Sequence, residues 1–282
     1  MSKINLDLMS AKALVELFLK EEQNTINSLK KQKSNIIKAI NIITKKCQKG
    51  GRIIYLGAGT SGRLGVLDAV ECKPTFSTKS FIGIIAGGKS AIFRAVEGAE
   101  DNTKGAIKDL KKIKLTKDDV VIGISASGET PYTVSGIKYA KQIKATTISI
   151  SSNQKSTLSR ISDYNISPFI GEEIISGSSR LKSGTAQKII LNMLSSISMI
   201  KSGKVYGNLM IDVEPTNKKL INRAIRIISS ICKVPLNKAK LLFKRAKKNT
   251  KAAIVMHFRK CSLKEAINKL KNVDFNLRQI IS

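Results

Sequence analysis

Residues 57–76 read GAGTSGRLGVLDAVECKPTF, directly after the apolar run RIIYL (52–56), and open with Gly57, Gly59 and Gly62, a literal G-x-G-x-x-G. Between a strand and a helix, that spacing allows a tight turn and aims backbone N–H groups at a phosphate. A dinucleotide site needs one more feature, an acidic residue about 20 positions on, which bonds the ribose hydroxyls. Here that region is FIGIIAGGKS (81–90), with glycines and Lys89 where the acid should stand. The loop also carries Thr60, Ser61 and Arg63, two hydroxyls and a cation in place of small apolar residues. The nicotinamide reading fails, and the loop is left for another phosphate.

A second loop of the same kind lies in VVIGISASGETPYTV (120–134), where Ser125, Ser127, Gly128 and Thr130 follow an apolar run and precede a helical pattern. Ser61 and Ser127 are each followed by glycine. In a doubly wound sheet the C-terminal ends of neighbouring strands face one crevice, so both loops can address one ligand. Helix N-termini with serine and threonine hydroxyls bind phosphate without a metal. The competing reading makes each serine a helix cap only, worth about 1 kcal/mol. The pairing of loops favours a phosphorylated small molecule. A third segment, SGSSRLKSGTAQK (176–188), offers Ser178, Ser179, Arg180 and Lys182, which read equally well as substrate contacts or as a solvated helix start.

The frame around these loops is α/β. Four β-branched runs, RIIYLGAG, FIGIIAGG, DVVIGISAS and TTISISSN, alternate with helical stretches and suit strands buried on both faces of a parallel sheet; NISPFIG is a weaker fifth. Residues 11–47 show helical periodicity through Leu14, Leu17 and Phe18, then Ile36, Ile37, Ile40 and Ile43. From about Pro215 the pattern is helical throughout. The expected organisation is a helical arm over 1–44, a sheet domain over 45–212 and a small helical domain over 213–282.

Composition narrows the function. The chain has 282 residues, 42% hydrophobic, with no uninterrupted apolar stretch of membrane-spanning length and no signal-peptide core, so a cytoplasmic protein is expected. Cys47, Cys72, Cys232 and Cys261 form no C-x-x-C pair, which leaves neither a metal framework nor a disulfide scaffold. His257 is the only histidine, in KAAIVMHFRK, where it reads as a helix-surface or packing residue in preference to a general base. The net charge of +30 is spread over nearly every segment, aromatics are 5% and Trp is absent. It reads as compositional drift, and no specific nucleic-acid partner is expected.

Carboxylates are scarce, 20 in all, yet Asp68 and Glu71 follow the first loop, and Glu97, Glu100 and Asp101 cluster in AIFRAVEGAEDN (91–102). Acids beside a phosphate are repelled unless they have work to do, such as proton transfer. Taken together, GRIIYLGAGTSGRLGVLDAVECKPTF, GIIAGGKSAIFRAVEGAEDN, DVVIGISASGETPYTV and GSSRLKSGTAQKIILNMLSSISMIKSGKVYGNLMIDV closely resemble the N-acetylmuramic acid 6-phosphate etherase family. That family belongs to the sugar-isomerase (SIS) fold group and is related to the glucokinase regulatory protein. The resemblance covers roughly residues 45–282. It implies a five-stranded parallel sheet flanked by helices, a small helical domain, a homodimer, and cleavage of a D-lactyl ether without metal or cofactor. It also implies that Glu71, in DAVEC, is the proton donor and that Glu100, the last Glu of EGAED, is the base. Gly59, Thr60, Ser61, Gly62, Ser125, Ser127, Gly128 and Thr130 form the substrate cradle, so the loop holds the phosphate and the next helix delivers the acid.

Two rivals share the pocket: a non-catalytic sugar-phosphate sensor and a phosphosugar isomerase. Two departures from the family pattern stand out. Glu129 occupies a position in SASGET that is usually not acidic, which is unfavourable unless the carboxylate points away. No counterpart of the family's N-terminal TE-x-R-N-like segment stands ahead of INLDLMSAKAL, which implies weaker substrate binding if that segment completes a pocket.

Overall fold

The computed structural model describes residues 5–273 and 275–281; the stretch where the family's N-terminal segment would lie begins outside them. After a 3-10 turn at Leu6–Leu8, Ser10 caps helix α1 (Ala11–Lys31), its hydroxyl accepting from the Ala13 N–H at 3.3 Å. A break at Gln32 separates α1 from α2 (Lys33–Gln48), and Gly50 and Gly51 lead into β1 (Ile53–Gly57). The chain continues through α3 (Gly59–Phe76), β2 (Phe81–Ile85), the short α4 (Ser90–Phe93), a 3-10 turn at Ala99–Asp101, α5 (Thr103–Lys112), β3 (Val120–Ile124) and α6 (Pro131–Gln142). β4 (Thr146–Ile150), α7 (Thr157–Ile161), β5 (Tyr164–Ile166) and α8 (Lys182–Lys201) complete the first core.

The five strands lie in the order β2-β1-β3-β4-β5, all parallel. Their alternate residues enter two different cores, which is why the runs read as continuously apolar. Ile53, Tyr55, Ile122 and Ile124 face α1, α2, α3 and α8, and Ile54, Leu56 and Val121 face α5, α6 and α7. The chain first steps from β1 to β2 and then returns past β1 to β3. That reversal leaves a crevice beyond the C-terminal ends of β1 and β3.

A two-stranded antiparallel hairpin, β6 (Val205–Tyr206) and β7 (Leu209–Met210), joins this layer to α9 (Lys218–Cys232), α10 (Leu236–Arg245), α11 (Thr250–Arg259), α12 (Leu263–Lys271) and α13 (Arg278–Ile281). These helices share a separate core, in which Ile211 and Val213 are buried and against which Tyr206, Leu209 and Met210 pack. The hairpin sits in VYGNLM, just ahead of Pro215, where the helical pattern of the sequence begins. His257 lies on α11, half-buried, with its ring edge-on to Phe258, a packing position.

Candidate functional site

Gly57 at the end of β1 pairs with Ile124 at the end of β3, so the two loops leave the sheet side by side. Gly59, Thr60, Ser61 and Gly62 form the first turn of α3, and Ser125, Ser127, Gly128 and Thr130 lead into α6. The eight residues expected to form the cradle therefore follow the C-terminal ends of two neighbouring strands. The first intrahelical bond of α3 runs from the Gly62 N–H to the Ala58 carbonyl (3.0 Å), which leaves the earlier N–H groups pointing out of the helix end. Gly62 has no alternative: a Cβ there would stand 2.7 Å from the Gly57 carbonyl oxygen and from Ile85 Cγ1.

The second loop is braced by its own hydroxyls. Buried Ser125 accepts from the Gly128 N–H (3.0 Å) and shares a bond with the Thr130 hydroxyl (2.8 Å). Gly128 has φ +72°, and a Cβ on it would stand 2.2 Å from Ser156 Oγ. Ser125 and Thr130 thus hold the turn from inside, and Ser127 accepts the Glu129 N–H (3.1 Å) from an exposed position, as Gly59 is exposed on the first loop. Glu129 does point away. Its carboxylate accepts the Thr157 N–H at 2.8 Å, at the start of α7, and the Thr157 side chain together with that N–H holds its pKa below the usual carboxylate value.

The third segment turns its cation inward. Lys182 Nζ meets Glu21 of α1 at 2.6 Å with only 3% of its side chain exposed, so it is a strut and not a substrate cation. The Glu173 carboxylate takes the Lys182 and Ser183 N–H groups (2.9 and 3.0 Å), and Thr185 donates to Glu22 (3.0 Å). The start of α8 is therefore held by three carboxylates and lies against the cradle, with Gly184 beside Thr60.

The acids after the first loop divide by role. Asp68 is buried between α3, β1 and α8, where it accepts from the Tyr55 hydroxyl (3.0 Å) and from Ser195 (3.3 Å). Burial raises its pKa against the pull of these donors and of Lys188 at 3.8 Å. It is a brace within the core. Glu71 is exposed on α3. Twelve helical residues separate it from Gly59, about 18 Å along the axis. Within one chain, Glu71 therefore stands well along α3 from the turn expected to hold the phosphate. Glu100 lies in the 3-10 turn after Gly98 (φ +66°), also exposed. It stands near the C-terminal edge of the sheet, where the neighbouring Ala99 Cβ faces Gly87, just past β2. Among the described residues no group of three or more His, Cys, Asp or Glu is placed to hold a metal ion.

A doubly wound sheet with two hydroxyl-rich turns at its switch point defines a SIS-domain protein. Residues 35–141 match the glucokinase regulatory protein N-terminal SIS domain, and residues 100–197 match the SIS domain. Among solved structures, a phosphoheptose isomerase from Francisella tularensis superposes with TM-score 0.55 at 17% identity, over 68% of this chain and all (100%) of that one. A protein of Escherichia coli CFT073 gives 0.52 at 20% identity, over 71% and 97% of the two chains. At such identities the likeness shows the fold alone.

Sequence relatives go further. The N-acetylmuramic acid 6-phosphate etherase of Francisella philomiragia is 50% identical over 269 residues, 95% of this chain and 92% of its own length. That of Staphylococcus saprophyticus is 48% identical over 280 residues, 99% of this chain and 95% of its own. The chain belongs to the N-acetylmuramic acid 6-phosphate etherase family.

Proposed function

We propose that this chain cleaves the D-lactyl ether of N-acetylmuramic acid 6-phosphate, giving N-acetylglucosamine 6-phosphate and D-lactate in cell-wall amino-sugar recycling. The observation that carries the proposal is the pair of cradle loops at one crevice, in a chain about half identical to curated etherases along nearly its full length. The helix start of α3 and the Ser127 hydroxyl receive the phosphate. In the open-chain aldehyde the carbonyl acidifies the carbon-2 proton. Glu100 removes it, and the electron pair forms the carbon 2–carbon 3 double bond as the carbon 3–oxygen bond breaks. Glu71 protonates the departing lactate oxygen. Water then adds at carbon 3, guided by the Glu71 carboxylate, and carbon 2 regains its proton. The four free thiols suit a reducing compartment, the cytoplasm.

Glu71 stands too far from its own cradle, so a second copy of the chain supplies it, and the working unit is a homodimer. The surface around Glu71 supports this: Leu67 and Val70 on the same helix are 46% and 61% exposed, apolar area of the kind an interface covers. Each glutamate contributes on the order of 100- to 10,000-fold to the rate. Glu71→Gln and Glu100→Gln should fold with unchanged melting temperature and release no measurable D-lactate. Full activity in either variant removes that residue from the mechanism.

A further inference from the structure

Gln187 lies on α8 just below the cradle, only 2% exposed, and neither its Oε1 nor its Nε2 has a hydrogen-bond partner among the described residues. No other described side chain of α8 is left with both polar atoms unpaired in this way. Its direction follows from its neighbours one turn back. Gly184, three positions earlier, lies against Thr60 of the first cradle loop, with Thr60 Cγ2 3.6 Å from where a Cβ would be. Ser183, four positions earlier, accepts from the Ser152 hydroxyl (3.2 Å), and the Ser152 N–H donates to the Ala126 carbonyl of the second cradle loop (2.9 Å). Positions i−3 and i−4 share a helix face with i, so Gln187 faces the gap between the two loops. Helical side chains also lean toward the N-terminus, here toward the crevice.

We infer that the Gln187 carboxamide forms the floor of the cradle and hydrogen-bonds a hydroxyl of the bound sugar. Burying an amide with both atoms unpaired is unfavourable, and an apolar side chain of similar length would pack there at no such cost. A carboxamide offers donor and acceptor together, which matches a hydroxyl. Phosphate oxygens only accept, and the α3 helix start already faces them. Gln187 is thus a sugar-recognition residue beside the glutamate chemistry.

The inference rests on the etherase reading, and the experiment separates the two. Gln187→Met is assayed for D-lactate release, and parent and variant are titrated with N-acetylglucosamine 6-phosphate and with inorganic phosphate. One lost hydrogen bond to the sugar corresponds to about tenfold in affinity. The expected result is a KM and a sugar-phosphate Kd raised by about tenfold, with kcat within about twofold, phosphate affinity unchanged and a melting temperature equal or higher. A sugar-phosphate Kd within about twofold of the parent overturns the inference, as does an equal loss of affinity for inorganic phosphate. If the methionine variant does not fold, Gln187→Asn, which withdraws the amide by one methylene, is read by the same criteria. If the parent releases no lactate, the etherase reading fails, while the two titrations still decide the role of Gln187.

Discussion

The two edges of the parallel sheet use their polar groups in opposite ways. At the N-terminal edge, Arg52 before β1 is locked to Asp119 before β3: its backbone N–H and Nε reach one carboxylate oxygen at 3.0 Å each, and Nη2 reaches the other at 2.7 Å. The Thr116 N–H adds a fourth bond to that carboxylate (2.9 Å), and the guanidinium also donates to the Ile113 and Lys114 carbonyls. Each of these groups has its partner within the fold. At the C-terminal edge the same two strands end at Gly57 and Ile124 and run into glycine- and serine-rich turns, where the first N–H groups of α3 have no partner within the helix and Ser127 is exposed. The backbone ladder already sets the spacing of β1 and β3 along their whole length, so the clamp at one edge serves stability and leaves the other edge free for a ligand.

The sharpest way to break this division is at the cradle. Gly128→Ala forces a Cβ onto Ser156 Oγ and strains a left-handed residue, at a cost of about 1–3 kcal/mol for the strain alone. Displacing the Ser127 turn by about 1 Å should lower kcat/KM by about 100-fold. Activity near the parent's would mean that the second loop does not hold the substrate. At the other edge, Asp119→Asn should lower stability by about 2 kcal/mol, less than for a fully buried pair because the Arg52 side chain is 30% exposed, and should leave KM unchanged.

The pH dependence of that clamp has a defined sign. Burial alone would raise the Asp119 pKa, but Arg52 and the Thr116 N–H outweigh it and hold the carboxyl below its ordinary 3.8. A folded value below the unfolded one gives stabilisation that is complete above the unfolded pKa, and lost as pH falls below about 4 through the folded value. Acid melting curves of Asp119→Asn should therefore be flatter than the parent's in that window; parallel curves would show that the pair does not drive acid unfolding. The smallest effect is expected at Glu129→Gln. The amide oxygen can still accept from Thr157, so KM should stay within about twofold and stability within about 0.5 kcal/mol. A marked fall in KM would show that the carboxylate presses on the phosphate after all.

Much of this was legible in the residues. The sheet strands read clearly because both faces are buried, and the two loops read because glycine and serine recur at strand ends. What stayed hidden depends on tertiary partners. Nothing near Lys182 in the chain announces Glu21, 161 positions away, and nothing in DAVEC shows that Asp68 serves Tyr55 and Ser195. Gln187 in GTAQK follows helical spacing, and only the lack of a partner for its amide sets it apart. The two-residue strands of the hairpin are too short to carry a periodic signal. The separation of Glu71 from the cradle was within reach of the sequence, since a helix advances about 1.5 Å per residue. Reading the loop and the helix as one unit concealed it.

The central claim is that α3 serves two cradles, its N-terminus in its own chain and its Glu71 in a second copy. Coexpression of Glu71→Gln and Glu100→Gln chains, differently tagged so that mixed dimers can be purified, tests it with a D-lactate assay. In a mixed dimer one cradle joins an intact Glu100 to an intact partner Glu71, while the other has neither. The predicted result is about half the parent's activity per purified mixed dimer, from two chains that are each inactive alone. A mixed dimer as inactive as either variant would place both glutamates in one chain's site and contradict the account.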